Sequence, residues 1–391
     1  MQLMKKILLG AIFLILLVII AILIFAPKQV DKRQNKIQPH PRHEISERTQ
    51  AFHDSLVIGD WHADSLLWNR DLSKHNDYGH LDIPRLQQGN VGLQMFTTVT
   101  KSPSGQNYHH NDSDANDRIT QLALVQRWPI KAWSSLKARA IYQAKKLHKL
   151  QRKNSNDLLI IKSKKDLASW QERRQQNSKV IGALLGTEGS HALDGDLNSV
   201  QELFDHGFRM MSLQHFFDNK LGGSLHGSSQ SGLSDFGRQA IKKMNQLNII
   251  IDVSHSSESV VEDVLNLSEA PLVVSHTGFK GHCDTERNIS DVLMEKIAVD
   301  GGLIAVGYWD AAVCGTTADD IAEAIIYGIE LVGENNISLG SDFDGSVTTG
   351  FDTSEIALIT QDLVDLGVSE GQIRKVMGGN MLRFLGEYLP D

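Results

Sequence analysis

Seven side chains of this sequence are of types that bind metal ions or move protons, and each falls where an apolar, β-branched run gives way to polar residues. They are His62 and Asp64 in "VIGDWHAD", Glu188 in "GTEGSH", His215 in "MSLQH", His255 in "DVSHS", His276 in "VVSHT" and Asp342 in "GSDFDG". Imidazole nitrogen with carboxylate oxygen is a donor set that suits zinc. Five or six such ligands exceed what one open tetrahedral catalytic ion needs, so two zinc ions are the economical reading. Two ions about 3.5 to 4 Å apart require a bridge with two oxygens. No lysine stands at a strand end to be carbamylated, so Glu188 is the natural bridge. His62 and Asp64, spaced i and i+2, point to one side of a strand and are assigned to one ion, His255 and His276 to the other. Asp342 could be a sixth ligand, but as a base it can take the proton of a water activated between two cations and pass it to a leaving nitrogen. Asp344 is the fallback for that role.

Taken singly, each residue has a blander reading. His62-x-Asp64 could cap a strand without metal, and a strand-end histidine is often only hydrogen-bonded. The argument is joint: residues of metal-binding or acid/base type fall on several separate strands, all at the same end. Other histidines divide by context. His191 is either packed against the bridge or supports it, His109 and His110 read as solvated, and His226 in "GGSLHGSSQSG" could line the mouth of the site. Tyr308 and Trp309 read as packing at the rim.

Eight apolar runs carry these residues, at 56–64, 91–99, 180–189, 208–215, 249–256, 271–277, 303–309 and 337–345. Amphipathic helix patterns such as "DFGRQAIKKMNQLN" and "SESVVEDVLNLS" lie between most of them. Strand and helix repeated eight times predict a (β/α)8 TIM-type barrel of the metal-dependent hydrolase kind, in which catalytic groups come from the C-terminal strand ends. A doubly wound fold would show a Gly-rich phosphate loop after its first strand, and none is present. We place the barrel domain at 49–391, with an insertion at about 101–178 expected as a flap or outer wall.

The N-terminus differs from the rest. A short basic stretch, residues 1–6 with Lys5 and Lys6, precedes an unbroken apolar run at 7–26. As a helix its twenty residues span about 30 Å, enough to cross a bilayer. "LIFAPK" makes a poor cleavage site, so one uncleaved transmembrane helix is expected, followed by a polar, Pro-punctuated tether at 27–48. Lys28, Lys32 and Arg33 offset Lys5 and Lys6, so flanking charge gives no orientation. The formal charge is −8, with the first 42 residues net basic. An acidic body of this kind excludes nucleic acid as the expected partner. Cys283 and Cys314 could pair in an oxidising compartment or stay as reduced, packed thiols; two cysteines are too few for a thiolate zinc site.

Longer stretches than the seven residues bear on family. "GDWHADSL", "LDIPRLQQGNVGLQMF", "GTEGSHAL", "MSLQHF", "GLSDFGRQAIKKMNQL", "IDVSHSS", "PLVVSHTGFKGHCDTERNISD", "LGSDFDG" and "MGGNMLRFLGE" together resemble the membrane dipeptidase family, also called renal dipeptidases, over about residues 55–387. The resemblance implies a (β/α)8 barrel with two zinc ions that hydrolyses dipeptides. His62, Asp64, Glu188, His255 and His276 match the family's metal ligands, His215 a substrate-polarising histidine, Arg287 in "ERN" the arginine that holds the substrate carboxylate, and Asp342 the acid/base. From the residues alone, Arg287 could instead pair with Asp284 or Asp291. Similar family members pair cysteines in the corresponding region, which implies a Cys283–Cys314 bond. One departure bears on side-chain preference: the family often has an Asn-aromatic pair after strand seven, and this chain reads "VGYWD", so Gly307, Tyr308 and Trp309 reshape the pocket. The expectation is a membrane-anchored enzyme, able to form a homodimer, whose catalytic body is periplasmic or extracellular. A lactone, β-lactam or other amide hydrolase on the same site, and an inactive binding barrel, are the alternatives.

Overall fold

Each of the eight apolar runs contains a strand, and all eight strands lie in one sheet. They are β1 (Ile58–Ala63), β2 (Val91–Phe96), β3 (Ile181–Thr187), β4 (Phe208–Ser212), β5 (Ile250–Asp252), β6 (Val273–Thr277), β7 (Leu303–Val306) and β8 (Ile337–Leu339). Every neighbouring pair is parallel, and β8 pairs back onto β1 through Leu339 and Asp60, so the sheet closes into the expected barrel. A computed structural model describes residues 2–38 and 44–391 of the chain.

The strands read as continuous apolar runs because helices cover the sheet from outside. All seven residues of β3 are buried. Side chains from β1 through β7, among them Trp61, Met95, Leu184, Ile250, Val273 and Leu303, join one cluster with Phe384 of the C-terminal helix Asn380–Tyr388. Strands around a barrel meet in one cluster only at its axis. Ile250, Val273 and Leu303 are the first residues of their strands, so this apolar fill sits at the N-terminal end and leaves the C-terminal end to polar groups. Local signals start the outer helices. Ser234 accepts from the Gly237 amide to open Asp235–Gln246, Ser257 from the Val260 amide to open Glu258–Leu265, and Thr317 with Asp320 forms a capping box before Ala318–Val332.

The insertion is largely helical, with Arg118–Val125, Lys131–Ser134, Leu136–Lys153 and Lys164–Gln176. It also adds a strand, Leu158–Ile160, against the start of β3. The N-terminal segment departs from expectation. Helix α1, Gln2–Gln34, is long and apolar enough to cross a membrane, and its described large side chains in 7–18 and 20–25 are exposed. It does not yield to a tether at 27 but runs on through Pro27 to Gln34 and docks on the barrel. Gln126 Nε2 donates to Pro27 O at 3.1 Å. Buried Asp31 accepts from Asn35 at 2.8 Å and from Arg70 at 3.3 Å. Lys36 and Ile37 then pair in parallel with Thr348 and Thr349. Polar composition suggested a linker because the partners that bury Asp31 and Asn35 lie far away in the chain. Residues 39–43 of the expected tether are outside the described residues.

Cys283 and Cys314 are joined as a disulfide, 31 residues apart. It ties the loop after β6 to the loop after β7. On the loop-entropy model, closing a loop of that length restricts the unfolded chain by about 3 to 4 kcal/mol. Replacing both cysteines by serine is expected to lower unfolding stability by that amount in a denaturant titration, with a larger m-value because the released chain unfolds to a more expanded state.

Candidate metal centre

The seven residues picked out by type and position meet at the C-terminal end of the barrel, and all are buried. Glu188 stands at the middle. Its Oε1 lies 3.5 Å from His62 Nε2, 3.2 Å from His255 Nε2 and 3.3 Å from His276 Nε2, and its Oε2 lies 3.5 Å from His215 Nε2. Donors about 2.1 Å from a tetrahedral cation are about 3.4 Å from one another, so these separations fit a coordination shell. Two groups of donor atoms close enough to hold an ion result: His62, Glu188, His276 and Asp342, and Glu188, His215 and His255. Glu188 belongs to both.

His276 touches the residues assigned to both ions: its Nε2 lies 3.0 Å from His255 Nε2, the neighbour expected from strand order, and its ring lies 3.7 Å from that of His62 between centroids. Asp342 Oδ1 comes to 3.9 Å from His62 Nε2, while Asp64 stands beside the first group, 3.7 Å from His62 Nε2, and accepts from Thr97 at 2.7 Å. The i, i+2 spacing fixes which side a pair faces, not which cross-strand neighbour comes nearest.

Surrounding hydrogen bonds decide which imidazole nitrogen faces the centre. The Ser275 hydroxyl donates to Asp252 Oδ2 at 2.7 Å, which spends its one proton. Its lone pairs can therefore only accept, from His62 Nδ1 at 3.0 Å and from His276 Nδ1 at 3.0 Å. Both rings carry the proton on Nδ1 and turn a bare Nε2 inward. Lys101 O does the same for His215, 3.1 Å from Nδ1. Asp252 is itself held by Ser254 and by the Ser275 amide. None of these supports announced itself in the sequence beyond a polar residue next to a histidine.

Electrostatics agree with a cation-binding role. Burial pushes Glu188 well above the carboxylate range, and the nearby Asp64 and Asp342 push it further. Burial likewise raises Asp342 to about 8, against the pull of His62. Burial lowers His255 and His276 well below the usual imidazole value and brings His215 to about 4. His62 is the exception: burial lowers it, but Asp64 and Asp342 together carry it above the usual value. Neutral imidazoles offer lone pairs, and carboxyls that keep a proton near neutral pH give it up to a divalent ion.

The site residues hold their places through two backbone features. Gly189 has φ 75°, and a Cβ there would fall 2.7 Å from His191 Nδ1 and 2.9 Å from His215 Cβ. The loop after β8 places Asp342, Asp344 and Ser346 at φ 57°, 65° and 67°. Asp344 is used structurally rather than as a base: it takes hydrogen bonds from Arg70, from Ser65 at 2.5 Å and from the His80 amide at 2.7 Å.

Arg287 does not pair with Asp284 or Asp291. Its guanidinium is buried, donates to Ser254 O at 3.1 Å and to His276 O, and lies 5.2 Å from the Trp309 ring. Its Nε has no partner. His226 stacks on Phe216 and donates from Nδ1 to Tyr108 O at 2.9 Å, leaving Nε2 buried without a partner. Both ring nitrogens of His191 are buried and unpartnered. His109 and His110 are exposed. Tyr308 is packed between Phe343 and Phe351, whereas Trp309 faces the site and donates to Tyr108 Oη at 3.1 Å. Tyr108, brought in by the insertion, is a residue sequence reasoning missed. A cleft of about 250 Å³, walled by Val30 and Gln34 of α1 and by Ile119 and Leu122, opens beside His215.

The family model described as membrane dipeptidase (peptidase family M19) matches residues 46–388. The chain is 27% identical to an uncharacterized dipeptidase of Schizosaccharomyces pombe, over 78% of this chain and 71% of the relative. It is 27% identical to the dipeptidase aclJ of Aspergillus oryzae, over 85% and 78%. Among solved structures, the probable dipeptidase PvdM from Pseudomonas aeruginosa superposes with a TM-score of 0.73 at 21% identity, over 88% of this chain and 98% of that one. A metallo peptidase from Rhodobacter sphaeroides, liganded with a phosphinate mimic of the dipeptide L-Ala-D-Ala, gives 0.68 at 20% identity, over 85% and 99%. At these identities the structural likeness bears on the fold.

Two outcomes follow from the geometry. Ser275→Ala removes the acceptor that fixes both ring tautomers, and should weaken metal affinity about 10- to 100-fold in a chelator competition. In chelator-stripped protein, the folded state keeps the Asp342 and Glu188 protons that the unfolded chain releases near pH 4. Stability therefore falls as pH rises toward about 8. The lowered histidines oppose this only below their unfolded value of 6.5. The melting temperature should thus drop between pH 6.5 and 8, and Asp342→Asn should reduce that drop.

Proposed function

Because the chain belongs to the membrane dipeptidase family, peptidase family M19, we propose that it is a membrane-anchored dipeptidase that works with two zinc ions. The observation that carries the reading is Glu188, one carboxylate that belongs to both groups of donor atoms, its Oε1 facing the Nε2 atoms of His62, His255 and His276 and its Oε2 that of His215. The nitrogen and oxygen donors favour zinc. His62 and Asp64 would hold one ion, His255 and His276 the other, with Glu188 shared and Asp342 and His215 standing beside them. Bound ions would supply Lewis acidity to the scissile carbonyl and lower the pKa of the attacking water.

The remaining work belongs to the chain. Arg287 carries a buried positive charge met by the carbonyls of Ser254 and His276 and, at 3.5 Å, by the Thr277 hydroxyl, none of them an anion, so a substrate carboxylate completes it, and a planar fork suits that partner. Trp309 and Tyr108 close the space beside it. His215 lies beside the carbonyl. Its Nδ1 proton is held by Lys101 O, which fixes the ring so that Nε2 faces the substrate. Asp342, whose Oδ1 lies 3.9 Å from His62 Nε2 and whose proton bound cations would displace, would take a proton from water and return it to the departing amine.

Support for an exported catalytic body comes from the disulfide, which persists in oxidising compartments, and from the apolar α1. The relatives' names indicate dipeptides as substrate class, and the phosphinate mimic of L-Ala-D-Ala in one neighbour makes that dipeptide a test substrate with L-Ala-L-Ala.

Zinc-loaded protein is expected to release free alanine from at least one of these dipeptides and to lose that activity on chelation. A homoserine lactone hydrolysed in place of every dipeptide would overturn the substrate assignment. Asp342→Asn should lower kcat about 10²- to 10⁴-fold with metal retained. Loss of an ion in that variant, seen by metal analysis, would make Asp342 a ligand instead of the proton carrier.

A further inference from the structure

The segment 118–153 holds ten Lys and Arg and no Asp or Glu, in a chain with formal charge −8. Its helix Leu136–Lys153 presents Lys145, Lys149, Arg152 and Lys153 to solvent. The same segment exposes Leu124 at 43%, Ile130 at 75% and Trp133 at 38%. A soluble surface mixes charge signs and scatters large apolar side chains. Basic residues combined with exposed Trp, Ile and Leu are what an element lying in a membrane interface shows.

Its position supplies the second observation. Gln126 is bonded to Pro27 O, where α1 leaves its apolar stretch, and Val30 of α1 packs into the cluster of Trp128, Ala132 and Ile119. The insertion is therefore fixed to the end of the helix that would leave the bilayer. Beside it, Asn69, Arg70, Tyr142, Lys146, Lys149 and Lys153 line a groove of about 300 Å³, with Asp71 as the acidic group among the lining residues. Arg70 Nε there is buried without a partner.

We propose that this face rests on the membrane that α1 enters, with Lys149 and Lys153 on anionic phospholipid headgroups and Ile130 and Trp133 at the level of the interface. The proposal rests on the anchor reading above. Clustered lysines next to a membrane helix gain from the negative surface potential of anionic lipid, and salt screens that gain. The contact would set the cleft beside His215, which shares Val30 and Leu122 with this region, close to the membrane plane.

The test uses the full chain in vesicles of neutral phosphatidylcholine, with and without anionic phosphatidylglycerol. The two native cysteines are bonded to each other, so Ile130→Cys and Val299→Cys can each carry a polarity-sensitive fluorophore. Val299 is 88% exposed and ends the helix Asp291–Val299, at the barrel end opposite the site. In anionic vesicles the label at 130 should be about tenfold less accessible to an aqueous quencher than the label at 299, and Lys149→Glu with Lys153→Glu should remove most of that difference. Equal accessibility of the two labels, in vesicles that keep the chain through an alkaline wash, overturns the face and leaves the anchor standing. Protection unchanged by omitting anionic lipid and by the charge reversals overturns the headgroup assignment. Release of the chain by the wash removes the anchor reading, and the face with it.

Discussion

Three carboxylates, Asp64, Glu188 and Asp342, converge with four imidazoles in a space nearly closed to water, and the rest of the structure depends on how that crowding of like charge is resolved. In water such groups would separate or ionise freely. Here the seven come from six strand ends and adjoining loops of a closed barrel, so none can retreat without opening the sheet. The conflict shows as protonation: Glu188 and Asp342 are pushed up by burial and by their neighbours. A divalent cation resolves it more completely than a proton, because it satisfies several oxygens and nitrogens at once. The unpartnered His62 Nε2 and Asp342 Oδ1 are what such a centre leaves when viewed through protein atoms alone.

Orientation is the second requirement, and it is met by hydrogen bonds one layer further out. Asp252 ends β5 and receives the Ser254 and Ser275 hydroxyls; Ser275 then accepts from two histidines on different strands. A single carboxylate thus fixes two tautomers through one hydroxyl. Asp60 plays a parallel part on β1, receiving both the amide and the hydroxyl of Ser341 at the entry to the Asp342 loop. In a low-dielectric rim these bonds are strong and an unmade one is costly. The polar residues at the strand ends are therefore two linked layers, the inner facing a ligand and the outer facing the sheet.

Much of this was legible in the sequence for physical reasons. Both-sides-buried strands leave long apolar runs, and the change from apolar to polar at each C-terminal end marks the rim, so β1 to β8 and the residues His62, Glu188, His255 and His276 could be placed without coordinates. The distances between donors could not, because they depend on which strand ends come nearest across the barrel, where His276 stands against both His255 and His62. Tyr108 was invisible because the insertion carries no periodic signal that aims one side chain at the site. Asp31 was misread for a related reason. Its partner Arg70 lies 39 residues away, and a buried ion pair leaves no local pattern.

That misread pair alters how anchor and site are connected. The Asp342 loop holds three non-glycine residues in the left-handed region, a conformation that costs about 1 to 2 kcal/mol per residue without compensation. A Cβ at Gly345 would fall 1.9 Å from Asp342 Oδ1, so the loop folds back tightly on its own acid. What holds it comes from two directions. Arg70, His80 and Ser65 clasp Asp344 from the barrel side, while Asn35 accepts from the Ser346 amide at 3.0 Å and Lys36 and Ile37 pair with Thr348 and Thr349. Arg70 bridges the two sets by bonding Asp31 and Asp344 together. Burial works against both carboxylates; Arg70 overcomes it at Asp344, while Asp31 stays near 6. The residues just past the apolar helix are thus part of the clamp on the loop that carries Asp342. The bond from the Ser346 amide to Asn35 holds this loop with three backbone residues between it and Asp342.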